Sequence, residues 1–181
     1  MSLTITSLAA SALLLASHST IATSVDVVEQ TQATGLAEQL MDEILSKRYA
    51  AVGVGPFQLS LGPSATEKTL SQGRELYDDI DDFHGYLSWP PEDTWGVDVG
   101  QGDDAGGRRH PNFRLSDSHF SDWVTYVQVR YADENDLTQP LPLGQTSAYR
   151  LVDVWVCRVR DGALRELAHL RRVVAYVPLP Q

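Results

Sequence analysis

Two halves of contrasting character make up the first 49 residues of the chain. Residues 1–25 contain no Asp, Glu, Lys or Arg, whereas charged residues begin at Asp26 and no proline occurs before Pro56. In the second half the apolar residues recur at the i, i+3, i+4, i+7 spacing of a helix that lies on a core. We predict one helix over residues 2–48, about 70 Å long at 1.5 Å per residue.

A helix of this length exceeds what a 181-residue chain needs to cover one core. Its first half must therefore bury itself in a bilayer or against neighbouring copies. The residues predicted to form this membrane or assembly surface are Leu3, Ile5, Leu8, Ala12, Leu13, Leu14, Leu15 and Ala16. The residues predicted to pack the second half on a sheet are Leu36, Ala37, Leu40, Met41, Ile44 and Leu45.

Three interpretations of the N-terminal half remain open. A membrane-spanning helix needs about 20 mostly apolar residues, and residues 3–22 have that length. A cleaved secretory signal fits the apolar run and the small residues after it, but the basic region that normally precedes such a run is missing. The third interpretation is a buried soluble helix. We favour the membrane span, because the only interruption before residue 50 is Gly35, which does not stop a helix.

The remaining residues, 50–181, predict one globular head. Residues 50–117 are rich in Gly and Pro and read as loops. Strands are predicted at 123–131, 149–160 and 164–177, with Asp161-Gly162 as a two-residue hairpin turn. An antiparallel sheet of this kind needs a cover on one face, which the amphipathic half of the long helix can supply. The predicted fold class is α+β, with segments 1–25, 26–49 and 50–181 as its three parts.

Charge and cysteine content exclude several functions. The net charge is −10, which argues against nucleic-acid binding. We interpret six arginines that lie among acidic residues as solvated: Arg108, Arg109, Arg158, Arg160, Arg171 and Arg172. Because Cys157 is the single cysteine, no internal disulfide can form. Cys157 is expected to be buried. No catalytic or nucleotide-binding motif is present, and we predict a protein that is not an enzyme and has no resident cofactor.

One acidic segment could hold a metal ion. Residues 77–85 read Tyr-Asp-Asp-Ile-Asp-Asp-Phe-His-Gly. Carboxylate oxygens are the ligands that calcium prefers, and the candidate ligands are Asp78, Asp79, Asp81 and Asp82. The alternative is a solvated loop in which aspartates cap nearby amides without a metal.

The sequence also resembles a known family in two places. Residues 37–45 followed by Arg48-Tyr49 are similar to the end of the long helix in minor pilins and pseudopilins. Residues 77–85, with Pro90-Pro91 and Gly96 after them, resemble the acidic segment of minor pilins of the mannose-sensitive haemagglutinin type. The chain thus looks like a type IV pilin-like protein or a type II secretion pseudopilin, and a long helix on an antiparallel sheet is what this family has.

The chain departs from that family at its start. The processing signal of the family, basic residues followed by Gly-Phe-Thr-Leu-x-Glu, does not precede Ser2. In the family, residues like 2–16 directly follow the glutamate of that signal. We therefore expect Met1 to be an internal methionine of a reading frame that begins upstream.

The resemblance implies a structural role in the cell envelope. The expected partners are other pilin or pseudopilin subunits and the inner-membrane assembly platform. The expected location is the inner membrane with a periplasmic head, and later the assembled filament. The alternative function is a secreted or periplasmic ligand-binding domain released from a cleaved signal peptide.

Overall fold

The computed structural model describes residues 2–70 and 72–178, without the side chains of residues 2–19, 21 and 22. A helix, α1, spans Ser2–Leu45 and is followed by a short helix, α2, at Ala65–Leu70. Single 3-10 turns lie at Asp81–Phe83 and Pro111–Phe113. The strands are β1 (Leu87–Ser88), β2 (Trp123–Tyr131), β3 (Tyr149–Arg160) and β4 (Ala163–Ala175).

The four strands form one antiparallel sheet in the order β1-β2-β3-β4. The β3–β4 hairpin turns at Asp161 and Gly162, which both have positive φ, at 53° and 74°. That backbone geometry matches the twist of the flanking strands, and the predicted hairpin is confirmed. The sequence pattern missed β1, because a two-residue strand has no detectable periodicity and is defined by its pairing with β2.

The second half of α1 covers one face of the sheet, so the α+β class is confirmed. Every second residue of β2 and β3 points to this face, including the fully buried Val127, Val154 and Val156. The helix contributes Ala33, Ala37, Leu40, Met41 and Ile44 to the same core. Glu29 and Arg158 meet at one end of this seam, and Tyr49 and Arg150 meet at the other. The helix therefore runs antiparallel to β3.

The helix ends at Leu45, slightly before the predicted end near Lys47 and Arg48. The amide of Arg48 donates to the carbonyl of Asp78, and the carbonyl of Arg48 accepts from the amide of Ile80. These two hydrogen bonds to the acidic segment take the place of the intrahelical bonds that Arg48 would make if the helix continued. The acidic segment therefore determines where the helix ends.

One of the six predicted packing residues does not lie in the core. Leu36 packs against its edge, but Leu45 is 40% exposed. Ile44 sits in the middle of the buried stripe, and the next residue is turned from it by about 100°. The prediction for Leu45 is wrong for this geometric reason. Cys157 is also only half-buried, and it lies at a register shift between β3 and β4.

Candidate functional site

Three of the four aspartates in the acidic segment are buried and only Asp78 is exposed, which corrects the interpretation of a solvated loop. Asp79, Asp81 and Asp82 are 1%, 1% and 5% exposed. Oδ1 of Asp79 accepts from the amides of Asp81 and Asp82 at 2.8 and 3.2 Å. Oδ2 of Asp82 accepts from the amides of Asp78 and Asp79 at 2.9 and 3.1 Å. Asp79 and Asp82 thus cap the turn to which they belong, as the alternative to metal binding assumed, but they do so inside the head.

Arg150 is the partner that the acidic segment requires. Its side chain is fully buried, and its Nη1 donates to Oδ1 of Asp81 at 2.7 Å and to the carbonyl of Tyr49. The guanidinium carbon lies 4.3 Å from the centre of the Tyr49 ring, a cation–π contact. Burial raises the pKa of Tyr49 to about 12. One cation therefore joins the end of the helix, the acidic segment and β3.

Sequence reasoning missed Arg150, although one signal was present. Arg150 has the same parity along β3 as Val152, Val154 and Val156, which all face the core. A cation on the inward side of a strand needs a buried anion. The search for that anion would have led to the acidic segment.

Burial and mutual repulsion change the acidity of this segment. Burial, together with the neighbouring Asp81, raises the pKa of Asp79 from 3.8 to about 7. Burial raises the pKa of Asp82 from 3.8 to about 6. Both groups therefore gain or lose a proton between pH 5 and 8.

The four aspartates predicted as metal ligands are used differently in the structure. Asp81 accepts from Arg150 and Gln58, and Oδ1 of Asp79 accepts from two amides. Asp78 and Asp82 instead lie near Glu67, and the three offer carboxylate oxygens within 4.8 Å of one another. Three carboxylates suit a hard cation such as calcium.

A groove of about 590 Å³ lies where α1 leaves the head. We call it the exit groove. Ser24, Val25 and Val28 line it on the helix side, and His119 and Trp123 line it on the head side. Val25 and Val28 are 49% and 55% exposed, whereas Trp123 is 2% exposed. The groove is thus an open apolar surface continuous with the core.

Glu29 places a charge in this apolar surface. Its side chain is 10% exposed, and its Oε1 accepts from Arg158 and from Nη2 of Arg160 at 3.0 Å. Among the described residues, Oε2 of Glu29 has no hydrogen-bond partner and is buried. Arg158 also donates from Nε to Asp122 at 2.7 Å. The interpretation of Arg158 as a solvated cation is therefore wrong, because it is held between two carboxylates.

The predicted membrane or assembly residues, Leu3, Ile5, Leu8, Ala12, Leu13, Leu14, Leu15 and Ala16, lie outside the side chains that the structure describes. Their backbone belongs to α1. Within the described part of the chain, no helix combines the length and the apolar character needed to cross a membrane.

Comparisons with known proteins add no relative. The chain matches no family model, no curated protein and no solved structure.

Proposed function

We propose that the chain is a structural subunit of a helical envelope filament, either a minor pilin of a type IV pilus or a pseudopilin of type II secretion. The observation that carries this proposal is that the two halves of α1 differ: the second half packs on the head, whereas the first half is free of charged residues. The helix runs without a break through Ser2–Leu45, and among its described side chains the buried ones begin at Glu29 and end at Ile44. The charge-free residues 2–25 precede the part that holds the head.

The mechanism of such a subunit is physical. Before assembly, the apolar half of the helix anchors the subunit in the inner membrane with the head in the periplasm. During assembly it leaves the bilayer and packs against like helices, where small residues allow close approach. A head-to-tail contact that does not close into a ring generates a helical polymer. A separate assembly ATPase supplies the energy, because the sequence contains no phosphate-binding glycine loop.

The first test of this function is whether the N-terminal residues remain on the protein in the membrane fraction. We expect mass spectrometry of the protein from its native cells to find residues 3–22 retained in that fraction. We expect immunogold electron microscopy to place the head on filaments. A soluble protein that lacks residues up to about 22 would instead establish the secreted ligand-binding domain.

A further inference from the structure

Strand β4 is 13 residues long and forms one edge of the sheet. Its inner edge pairs with β3 along the whole strand. In the part of the chain that the structure describes, no other backbone segment makes a hydrogen bond to β4. A long strand edge with free amides and carbonyls is a template on which another strand can pair.

One regular stretch of β4 directs backbone groups away from β3. The register with β3 is regular over residues 168–175, beyond the shift at Val156 and Cys157. The amide of Tyr176 donates to the carbonyl of Ala148, and hydrogen-bonded pairs alternate with non-bonded pairs along two antiparallel strands. This alternation gives the residues whose N–H and C=O groups point outward, all of them exposed: His169, Arg171, Val173 and Ala175.

The outer face of the sheet, opposite to α1, carries two rows of side chains that end at this edge. In the first row the rings of Tyr126, Trp155 and His169 stack, with centroids 5.5 and 4.6 Å apart. In the second row Nε of Arg171 donates to Oδ1 of Asp153 at 2.6 Å. Side chains directly opposite each other on paired strands are in contact. A strand added to β4 therefore extends both rows by one side chain.

The second row has an excess of positive charge. One carboxylate, that of the fully buried Asp153, faces the guanidinium groups of both Arg130 and Arg171. Residues 163–175 contain three arginines and one glutamate, in a chain whose net charge is −10. An acidic strand is therefore attracted to this edge, whereas a second copy of β4 would bring arginines against arginines.

We propose that the outer edge of β4 binds an extended segment of another protein as a fifth strand, with an acidic side chain beside Arg171 and an aromatic one beside His169. Main-chain hydrogen bonds give such strand addition its affinity, and alternate side chains give it specificity. In antiparallel pairing the recognised pattern is acidic-x-aromatic. An incoming amide replaces Nη1 of Arg172, which donates to the carbonyl of Arg171 at 3.0 Å. The proposal is independent of the filament function.

Synthetic peptides test the backbone contacts without changing the protein. The probe is the capped peptide Thr-Val-Thr-Glu-Thr-Tyr-Thr, added to the isotope-labelled full chain in detergent. We expect saturable NMR shifts at the amides of His169, Arg171 and Val173. Methylation of the Val, Glu and Tyr amides of the peptide should weaken binding about tenfold or more, because three main-chain hydrogen bonds are lost.

Two matched peptides are the controls. Methylation of three threonine amides leaves the donors that face β4 and should have a much smaller effect. Replacement of the peptide Glu by Lys should weaken binding about fivefold or more, since attraction becomes repulsion. Equal binding of the two methylated peptides, or no shift of the three β4 amides at millimolar peptide, would overturn the proposal.

A substitution in β4 gives an independent readout. Val173→Pro removes an outward amide without breaking a hydrogen bond to β3, and should abolish binding of the peptide. Val173→Ala keeps that amide and should retain binding, and urea denaturation of both variants checks that the head is folded. Peptide binding that survives Val173→Pro contradicts the proposal. Loss of self-association in Val173→Pro without peptide would assign the edge to a second copy and also contradict it.

Discussion

Buried arginines fix how the irregular segments of the head meet its regular elements. Arg74 holds the carboxylate of Glu43 on the helix through Nε and Nη2, at 3.1 and 2.8 Å. Arg150 holds Asp81 inside the core through Nη1 alone, at 2.7 Å. A buried ion pair adds little net stability, but removal of one partner leaves an uncompensated charge. The main effect of these ion pairs is therefore to select one arrangement of the loops, and their contribution to the net stability of the fold is smaller.

Substitution of Arg150 tests this view. We expect Arg150→Met to lower the free energy of unfolding by about 3–5 kcal/mol, because Asp81 then stays buried without its cation. The measurement is urea denaturation of the full chain in detergent, followed by tryptophan fluorescence. The control is Arg108→Met at an exposed position, where the change should stay within about 0.5 kcal/mol. Similar losses in the two variants would contradict the structural role of Arg150.

The acidic segment predicts a dependence of stability on pH. The pKa of Asp79 is about 7 in the folded protein, above its ordinary value of 3.8. The folded state therefore binds this proton more tightly than the unfolded state. The resulting stabilisation is complete below pH 3.8 and is lost as the pH rises through 7. Asp82, with a pKa of about 6, acts in the same direction. We expect the urea concentration at the midpoint of unfolding to decrease as the pH is raised from 5 to 8.

Asp79→Asn isolates this effect. The amide keeps an oxygen for the two backbone donors and resembles the protonated acid. The variant should lose less stability than the unmodified chain between pH 5 and 8, and should be the more stable of the two at pH 8. Asp117→Asn, at an exposed position, should retain the full slope. An unchanged slope in Asp79→Asn would assign the titration to other groups.

At the scale of elements, the seam between α1 and the sheet depends on one stripe of the helix. Ile44 is fully buried in the core, whereas its neighbour Leu45 is 40% exposed. We expect Ile44→Ala to cost about 2–5 kcal/mol of unfolding free energy, because it leaves a cavity against the sheet. Leu45→Ala should cost less than about 1 kcal/mol. Denaturation of the two variants side by side checks both values, and a larger loss at Leu45 would contradict the register of the helix.

At the scale of the whole molecule, the proposed function requires α1 to act as one rigid rod between the head and its surroundings. Thr23→Pro removes one helical hydrogen bond and kinks the helix between the two halves. Thr23 is exposed and precedes Glu29, which is the first buried residue of α1 in the part whose side chains are described. We expect the unfolding free energy of the head to change by less than about 0.5 kcal/mol, whereas incorporation into filaments is lost.

Thr23→Ala is the control for that substitution, since it keeps the helix and should assemble normally. Assembly is read by electron microscopy of sheared cell-surface material. Normal filaments from Thr23→Pro would show that a continuous helix is not needed, and would count against the mechanical role of α1.

Local sequence patterns were sufficient to predict the long helix, three of the four strands in the described part of the chain, and the Asp161-Gly162 turn. Each of these is encoded by periodicity or turn chemistry within a short stretch of chain. The burial of the acidic segment could not be read in this way, because Asp81 meets an arginine 69 residues further along the chain. The exit groove likewise joins Glu29 to Arg158, 129 residues away. Tertiary structure alone decided which charges lie inside the molecule, because burial depends on residues that the chain brings together only when it folds.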